Sequence, residues 1–315
     1  MNPMNIMVFD SNNGRFSNVL RYHWKSQGHS VGYTPLWDSR ECVNRDVIFF
    51  DWVDTSVQRA SNPDDQQYKD HGTSITKITK DTNIIARCHD IDMWAGNLRG
   101  VQGGYIRHLV FVANHIRRVA EEDGDIPAGT QVHTIPHGID PNKFTLRQPN
   151  GQKKIGWVGN FEHKKNPELA LQVMLNLPRD YTLYMCGRRR QPQWQIKYWD
   201  ALIKRNNLNV VFESDVPDMN QWWDDKDFCL VTSQKEAFSY VVGEAMMKGI
   251  KPLINHFWGA EEVWPDALIF DNAMTAVDMI TNEYQNISPE FLRQYVIDRY
   301  PIDKMFAAYD ELLRA

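Results

Sequence analysis

Short apolar segments alternate with amphipathic segments along most of this chain, and the alternation occurs in two series. In the first series, apolar runs rich in β-branched residues occupy residues 6–9, 47–50, 83–88, 109–113 and 132–136. Such runs, separated by stretches of helical periodicity, are typical of parallel strands in a sheet that is covered on both faces. The first series therefore predicts a doubly wound α/β domain.

A second series of the same kind follows a polar break. Residues 145–154 (TLRQPNGQKK) combine Pro, Gly, Asn and Gln without periodicity, which predicts a linker. Beyond it, the sequence predicts strands at 155–158, 181–186, 210–212, 228–232, 252–255 and 267–270, and helices at 167–175, 194–204, 238–248 and from 288 onward with a break at Pro301. We expect two Rossmann-like α/β domains, residues 1–147 and 148–315, with an interdomain cleft and C-terminal helices, the last of which can pack back on the first domain.

The composition narrows the class of protein. The formal net charge of -5 gives no general attraction to polyanions, so a nucleic-acid partner would need a local basic face. The four cysteines form no C-x-x-C pair and have no histidine at zinc-ligand spacing, so we expect reduced, structural thiols. No apolar run approaches the roughly 20 residues that a bilayer requires. We expect a cytoplasmic protein of a bacterial or phage-infected cell, with peripheral membrane association left open.

The most informative segment lies where a predicted strand ends at Thr232 and a helix follows. Ligands of α/β sheets bind at such carboxyl edges, and the start of a helix offers unpaired N–H groups that suit a diphosphate. Seven residues separate Glu236 from Glu244, so the two carboxylates would meet different parts of an extended ligand. Carboxylates accept hydrogen bonds from hydroxyls, which suits a sugar and a ribose. An amphipathic helix with two solvated carboxylates is the alternative.

The segment EAFSYVVGEAM, from residue 236, resembles the E-x7-E motif of retaining glycosyltransferase family 4, whose members have the two-domain GT-B fold. The resemblance implies that Glu236 contacts hydroxyls of the donor sugar and that Glu244 holds the ribose of the nucleotide. It also implies that the turn formed by Ala237, Phe238 and Ser239 meets the sugar and the phosphate through its amides.

A second segment, IGWVGNFEHKKNPELALQV from residue 155, resembles the opening of the same family's C-terminal domain. Lys165 aligns with the family's diphosphate-binding lysine, and Gly159 lies in the turn before it. A cation beside a departing diphosphate offsets the negative charge that grows on the leaving group. Asn160 stands where the family usually has arginine. Lys164 or a residue of the basic run that begins at Arg188 can supply the missing charge, and a solvated loop is the alternative for that run.

Residues of the first series complete the expected site. His89 follows a buried strand and resembles the family's strand-then-His element, which implies that it faces the donor sugar from the other domain. Gly14 and Arg15 follow the first strand, where the family usually has a Gly-Gly pair, and an ordinary turn is the alternative. Asp90 and Asp92 spell the D-x-D of metal-dependent GT-A enzymes. Because the expected lysine and helix terminus already supply positive potential, we expect no metal and assign Asp92 to capping of the following helix.

The resemblance thus implies a retaining, metal-independent hexosyl- or pentosyltransferase. It would move a sugar from a nucleotide-diphosphate donor, most readily a UDP-sugar, to an acceptor hydroxyl without any other cofactor. The sequence does not decide between three acceptors: a surface glycan or lipid-linked precursor, a small molecule, and a hydroxymethylated base of phage-type DNA. DNA would need a basic face, for which Arg99, Arg107, Arg117 and Arg118 are candidates.

Two other classes of protein share the expected donor site. A sugar-nucleotide epimerase of the same fold would convert the donor without an acceptor. A catalytically silent module would bind the nucleotide sugar without turnover, and Asn160 in place of arginine keeps this alternative open. The sequence leaves the oligomeric state open.

Overall fold

The computed structural model describes residues 2–62, 64, 78, 81–214, 216–283 and 287–315. The chain divides into two compact units, one made of Met1–His137 with Asp303–Ala315 and the other of Gly138–Ile302. Each unit contains a parallel β-sheet whose strands alternate with helices. The predicted class, two Rossmann-like α/β domains, is confirmed.

The described sheet of the first unit has six parallel strands in the order β2-β1-β3-β4-β5-β6. They are β1 (Asn5–Phe9), β2 (Ser30–Thr34), β3 (Val47–Phe50), β4 (Asn83–Cys88), β5 (His108–Phe111) and β6 (Gln131–Thr134). The sequence predicted all of them except β2, an edge strand whose partly exposed residues and central Gly32 break the apolar pattern. The order of the strands reverses between β1 and β3.

The helices of the first unit are short, and the chain's last helix belongs to it. Their bounds are Asn18–Ser26, Thr55–Ala60, Asp90–Trp94, Asn114–Glu122 and Ile302–Arg314. Asn83 Nδ2 at the start of β4 donates to the Leu312 carbonyl at 3.0 Å, and Trp24 Nε1 donates to Asp310 Oδ1 at 3.2 Å. These bonds attach the terminal helix to the first sheet and to the helix Asn18–Ser26.

The described sheet of the second unit has six parallel strands in the order β12-β11-β10-β7-β8-β9. They are β7 (Lys154–Val158), β8 (Thr182–Cys186), β9 (Asn209–Glu213), β10 (Phe228–Val231), β11 (Lys251–Asn255) and β12 (Ile269–Phe270). The helices are Pro167–Asn176, Gln193–Arg205, Met219–Trp222, Tyr240–Lys248, Ala260–Val263, Ala273–Asp278 and Pro289–Arg299, with a π-helical stretch at Met279–Glu283. All six predicted strands are present within one or two residues of their expected ends.

The polar segment at residues 145–154 is tied to the second unit. Arg147 N donates to the Lys248 carbonyl at 3.0 Å. Asn150 N and Lys153 N both donate to the Asp227 carboxylate, at 3.2 and 2.8 Å. Because these bonds fix the segment to the second unit, the chain divides after His137, whereas the sequence placed the boundary after residue 147.

Candidate active site

Two segments of the second unit meet where the strand order of its sheet reverses. The chain passes from β7 to β8 on one side of the sheet and from β10 to β11 on the other. Ligands of open α/β sheets bind outside the carboxyl ends of the strands at such a switch point. Lys165 follows β7 and Glu236 follows β10. The two residues that the sequence predicted as catalytic in this half therefore lie at the switch point.

Lys165 and Glu236 form an ion pair between Lys165 Nζ and Glu236 Oε1. The Lys165 side chain is 21% exposed and that of Glu236 is 11% exposed. Burial acts to raise the pKa of Glu236, but the Lys165 ammonium, and after it a hydrogen bond from Ser233, outweighs burial and lowers that pKa below its ordinary value. The Glu236 carboxyl group is therefore ionised at neutral pH, and both side chains are still partly exposed to solvent.

Buried hydrogen bonds join the two segments beneath the ion pair. Trp157 Nε1 donates to Thr232 Oγ1 at 2.8 Å, and Thr232 Oγ1 donates to the Lys165 carbonyl at 2.7 Å. Gln234 N donates to the Lys164 carbonyl at 2.8 Å. The backbone of Lys165 is thus fixed from the β10 side, so the position of the cation does not depend on the ion pair alone.

The helix Tyr240–Lys248 begins directly after this site, two residues later than the sequence predicted. Ser239 is its N-cap and takes a left-handed conformation with φ 54°. Phe238 packs against Trp264, with ring centroids 5.4 Å apart, and Ala237 is buried as well. Because these two side chains belong to the core, any ligand contact of Ala237 or Phe238 must come from the backbone.

Glu244 lies inside that helix. Burial, and after it the Glu244 carboxylate, raises the pKa of the Cys229 thiol on β10. Glu236 precedes the helix, whereas Glu244 lies in its second turn, so the two carboxylates occupy different structural elements. That they contact different parts of one ligand stays a prediction.

Gly187 allows the loops after β7 and β8 to touch. Gly187 has a φ of 150°, and a Cβ atom placed on it would lie 2.0 Å from the Gly159 carbonyl oxygen. Gly159 N in turn donates to the Cys186 carbonyl at 3.0 Å. A Cβ atom on Gly159 would lie 3.4 Å from methylene carbons of Lys165. That distance is an ordinary contact, so only Gly187 is required here, because it admits the Gly159 backbone.

Asn160 and Arg188 lie in these same loops. Asn160 Nδ2 donates to Glu162 Oε1 at 3.3 Å, and Asn160 is exposed. The Arg188 carbonyl accepts a hydrogen bond from Phe161 N at 3.1 Å, while Arg188 itself is exposed. Whether the Arg188 guanidinium replaces the arginine that Asn160 lacks stays a prediction.

The switch point of the first sheet, between β1 and β3, carries a buried charged cluster. Arg87 Nε donates to Asp51 Oδ1 at 2.5 Å, and both residues are fully buried. His89 Nε2 lies 3.6 Å from the same carboxylate oxygen. Burial acts to raise the pKa of Asp51, but Arg87 and His89 outweigh it and lower that pKa. Asp51 is therefore held as an anion inside the protein.

His89 is mostly covered by aromatic rings. Its imidazole stacks on Trp52 with centroids 4.0 Å apart, and the rings of Phe16 and His137 lie 5.2 and 5.4 Å away. Only 4% of His89 is exposed. Burial, and next the charges of Arg87 and His89, lowers the pKa of His137 well below its ordinary value, so His137 is neutral.

The loop after β1 is held by Asp10. Its carboxylate accepts hydrogen bonds from Asn12 N at 2.8 Å, Ser17 Oγ at 2.5 Å and Trp52 Nε1 at 3.0 Å. Burial, followed by the nearby Asp51, raises the pKa of Asp10. Within this loop Gly14 has a φ of 77°, and Arg15 is exposed with its guanidinium 5.6 Å from the centre of the Phe16 ring.

Asp92 has a structural position. Its Oδ2 accepts hydrogen bonds from His89 N at 3.0 Å and Val53 N at 3.1 Å. Burial raises the pKa of Asp92 well above its ordinary value despite these two bonds. The predicted capping role fits this geometry, although Asp92 lies inside the helix Asp90–Trp94 and reaches back to the N-cap residue His89. Within the described part of the chain, no group of three or more His, Cys, Asp or Glu residues could hold a metal ion.

Several residues near the carboxyl ends of the strands in the two sheets were not predicted as functional from the sequence. Asp10 and Asp51 each follow an apolar run directly, as His89 does. Their position at the end of a predicted strand could have identified them as candidate site residues. Arg87 lies within a run of buried residues, and its pairing with Asp51 depends on the order of the strands. Thr232 ends a predicted strand, but nothing in the sequence indicates its bond to Lys165.

A family model for glycosyl transferases group 1 matches residues 139–269 of this chain. The match covers the second unit from its first strand to β12 and includes both Lys165 and Glu236. No curated protein matches the chain significantly.

Solved structures with two Rossmann-like domains align along nearly the whole chain. A glycosyltransferase from Rickettsia africae is 13% identical, with a TM-score of 0.73 over 100% of this chain and 98% of that one. HepE from Anabaena in complex with UDP-glucose is 13% identical, with a TM-score of 0.75 over 99% of both chains. Sucrose-phosphate synthase from Thermosynechococcus elongatus is 12% identical, with a TM-score of 0.71 over 99% of this chain and 98% of that one. The chain has the GT-B fold.

Among the described residues, no helix is both long and apolar enough to cross a bilayer.

Proposed function

We propose that this protein is a retaining glycosyltransferase that moves a sugar from a nucleotide-diphosphate donor to an acceptor hydroxyl. The Lys165–Glu236 ion pair at the β7/β10 switch point carries the proposal. A cation and a carboxylate acceptor stand together there, at the place where open α/β sheets bind ligands. The family match over residues 139–269 and the resemblance of residues 236–246 to the E-x7-E motif support it.

In this proposal Lys165 stabilises the leaving diphosphate. Negative charge grows on the β-phosphate as the glycosidic bond breaks, and a fixed cation lowers the energy of that charge. Lys165 is suited to this because Thr232 holds its backbone and Glu236 holds its ammonium before the donor arrives. The amides at the start of the helix Tyr240–Lys248 add positive potential. No metal ion is required for this step.

Glu236 orients the donor sugar. One of its carboxylate oxygens is occupied by Lys165, and the lowered pKa keeps the group ionised, so it can accept hydrogen bonds from sugar hydroxyls. Glu244 holds the ribose, and Ser239, Ala237 and Phe238 contribute backbone groups to the sugar and phosphate.

The donor is proposed to be a UDP-sugar. HepE, which shares the fold, was solved with UDP, with UDP and glucose, and with UDP-glucose. The acceptor is a hydroxyl compound: a surface glycan or lipid-linked precursor, a small molecule, or a hydroxymethylated base of DNA.

The test is turnover with a panel of UDP-, GDP- and ADP-linked sugars, in buffer with EDTA, with and without simple glycoside and hydroxymethylated-DNA acceptors. Lys165→Ala and Glu236→Ala should each lower kcat by about 10²–10³-fold, the usual effect of removing one electrostatic contact to the transition state. The matched control is Lys153→Ala, which breaks an exposed lysine–aspartate pair with Asp180 in the same unit and should leave kcat unchanged.

Each outcome separates the candidate functions. Retained wild-type turnover in both variants, with unchanged melting temperatures, would contradict the proposed site. Conversion of the donor without an acceptor would indicate an epimerase. Saturable donor binding without turnover on any acceptor would indicate a binding module. NMR of the product gives its anomeric configuration, and inversion would contradict the retaining course.

A further inference from the structure

A basic and aromatic surface lies on the second unit, on the loop after β8 and the helix Gln193–Arg205. Residues 187–206 contain six cationic side chains and one carboxylate, in a chain whose net charge is -5. Trp194 is 69% exposed and Tyr198 is 54% exposed. We define the aromatic–basic face by Arg189, Arg190, Trp194, Lys197, Tyr198 and Arg205.

Helical spacing places most of this face on one side of the helix. Trp194, Tyr198 and Arg205 are separated by four and seven residues, and Lys197 lies beside them at three residues from Trp194. Side chains four residues apart have Cβ atoms about 5–6 Å from each other, so the two rings are neighbours. All four residues are exposed. Two flat rings and two cations thus share one exposed surface.

No carboxylate of the described residues pairs with the cations of this face. Within the part of the chain that the structure describes, Arg190, Lys197 and Arg205 form no ion pair. Arg189 lies over the Phe212 ring at 4.1 Å, which leaves its charge uncompensated. By contrast, Arg99 pairs with Asp125 and Arg117 pairs with Glu121, so the basic cluster that the sequence suggested for DNA is partly neutralised.

The rest of the helix determines which anionic partner fits. A helix that binds a bilayer turns an aliphatic face to the lipid. Here Trp199 is fully buried, and Leu202 and Ile203 pack against the core of the unit, so the aliphatic side faces inward. The exposed side has flat rings between cations, which is the combination that binds bases by stacking and phosphates by charge.

We propose that the aromatic–basic face binds single-stranded nucleic acid. Trp194 and Tyr198 stack on bases, while Arg189, Arg190, Lys197 and Arg205 contact phosphates. The binding does not require a nucleotide sugar, so it is independent of the proposed glycosyl transfer.

The test is fluorescence anisotropy of a labelled 15-nucleotide oligo-dT with the full chain, without donor, at 50 and 200 mM salt. Trp194→Ala with Tyr198→Ala should raise Kd by at least about tenfold, since each lost stacking contact costs at least about fivefold and two are removed. Arg190→Gln with Lys197→Gln and Arg205→Gln should reduce the slope of log K against log salt by about 2, because each neutralised phosphate contributes about 0.7 to that slope.

Matched controls lie in the first unit. Tyr22→Ala with Trp94→Ala removes two rings that are 66% and 48% exposed, and Arg99→Gln with Arg117→Gln removes two ion-paired cations. Both control variants should bind as the wild type does, and all variants should keep the wild-type melting temperature.

Three results would overturn the proposal. The first is no oligonucleotide binding by the wild type at 50 mM salt. The second is equal weakening by the control variants. The third is binding to phosphatidylglycerol vesicles, but not to the oligonucleotide, that is abolished in the Trp194→Ala/Tyr198→Ala variant. That last result would assign the face to a membrane.

Discussion

The two sheets carry ion pairs at corresponding switch points, but they differ in exposure. In the first sheet, Arg87 and Asp51 are fully buried. In the second, Lys165 and Glu236 retain 21% and 11% exposure. A buried pair has lost its hydration and is strongly destabilised when one partner is removed, whereas a partly hydrated pair can exchange its partner for a ligand.

This difference indicates separate roles for the two clusters. Around Asp51, each neighbouring carboxylate is bonded to a loop: Asp10 to the loop after β1, and Asp92 to the backbone of Val53 and His89. These groups fix the conformation of the loops. Lys165 and Glu236 are themselves held by Thr232 and Ser233 and stay partly exposed. Stability should therefore depend on the first cluster and donor affinity on the second.

The largest expected effect is on the stability of the first cluster. Arg87→Met should lower the free energy of unfolding by about 3–5 kcal/mol, because it leaves the Asp51 carboxylate buried without its cation. Urea denaturation at pH 7 measures the change. The double variant Arg87→Met/Asp51→Leu should recover part of the loss, since no charge then stays buried.

An exposed pair of the same unit is the control for this variant. Arg40→Ala breaks the pair with Asp38, in which the arginine side chain is 64% exposed, and should leave the free energy of unfolding nearly unchanged, because solvent screens an exposed pair. Equal losses in Arg87→Met and Arg40→Ala would contradict the distinction between buried and exposed pairs.

The sequence was sufficient for the fold because the strands are short, apolar and evenly spaced. Runs such as VIFF in β3 and NIIARC in β4 were predicted at their observed ends. It was insufficient for β2, because an edge strand of intermediate burial lacks a continuous apolar run. The end of the first unit was also missed, since hydrogen bonds of the polar segment to Asp227 and Lys248 join residues distant in sequence.

The residues of the candidate site that belong to a recognisable sequence motif could be predicted. Lys165 and Glu236 stand in segments with recognisable spacing, and the structure pairs them. The supporting residues were not predictable, because the bond from Trp157 to Thr232 spans 75 positions and requires β7 and β10 to be neighbours. The start of the helix at Tyr240 was misplaced by two residues, because the left-handed Ser239 delays it.

An intermediate effect on stability is expected from a change at Thr232, whose hydroxyl holds the backbone of Lys165. Thr232→Val conserves shape but removes the acceptor for Trp157 Nε1 and the donor to the Lys165 carbonyl, which leaves two buried polar groups unsatisfied. The free energy of unfolding should fall by about 1–3 kcal/mol, and donor affinity should fall as well, because the cation is no longer fixed. Urea denaturation and calorimetric titration with UDP measure the two effects.

The matched control for Thr232→Val is Thr281→Val. The Thr281 hydroxyl donates to the Val277 carbonyl at 2.9 Å within a helical stretch. Its loss should change stability by less than about 0.5 kcal/mol and leave UDP affinity unchanged. A loss of stability without a loss of UDP affinity in Thr232→Val would separate Thr232 from the donor site.

The smallest effect at pH 4, and the one with a pH signature, is expected from Asp92→Asn. Both backbone bonds of Asp92 go to the single oxygen Oδ2, so an asparagine oxygen can accept both. The raised pKa means that above pH 3.8 the native state holds a proton that the unfolded chain has lost. Wild-type stability therefore falls by up to about 1.4 kcal/mol per pH unit between the unfolded and folded pKa values.

The asparagine variant lacks this proton linkage. Its stability relative to the wild type should rise as the pH increases from 4 towards the folded pKa of Asp92 and should level off above it. Urea denaturation at pH 4, 5, 6, 7 and 8 measures the difference. A constant difference across this range would contradict the burial of a protonated carboxyl. Loss of turnover without any change in stability would instead favour a D-x-D metal ligand over a structural carboxyl, because only a ligand needs the negative charge.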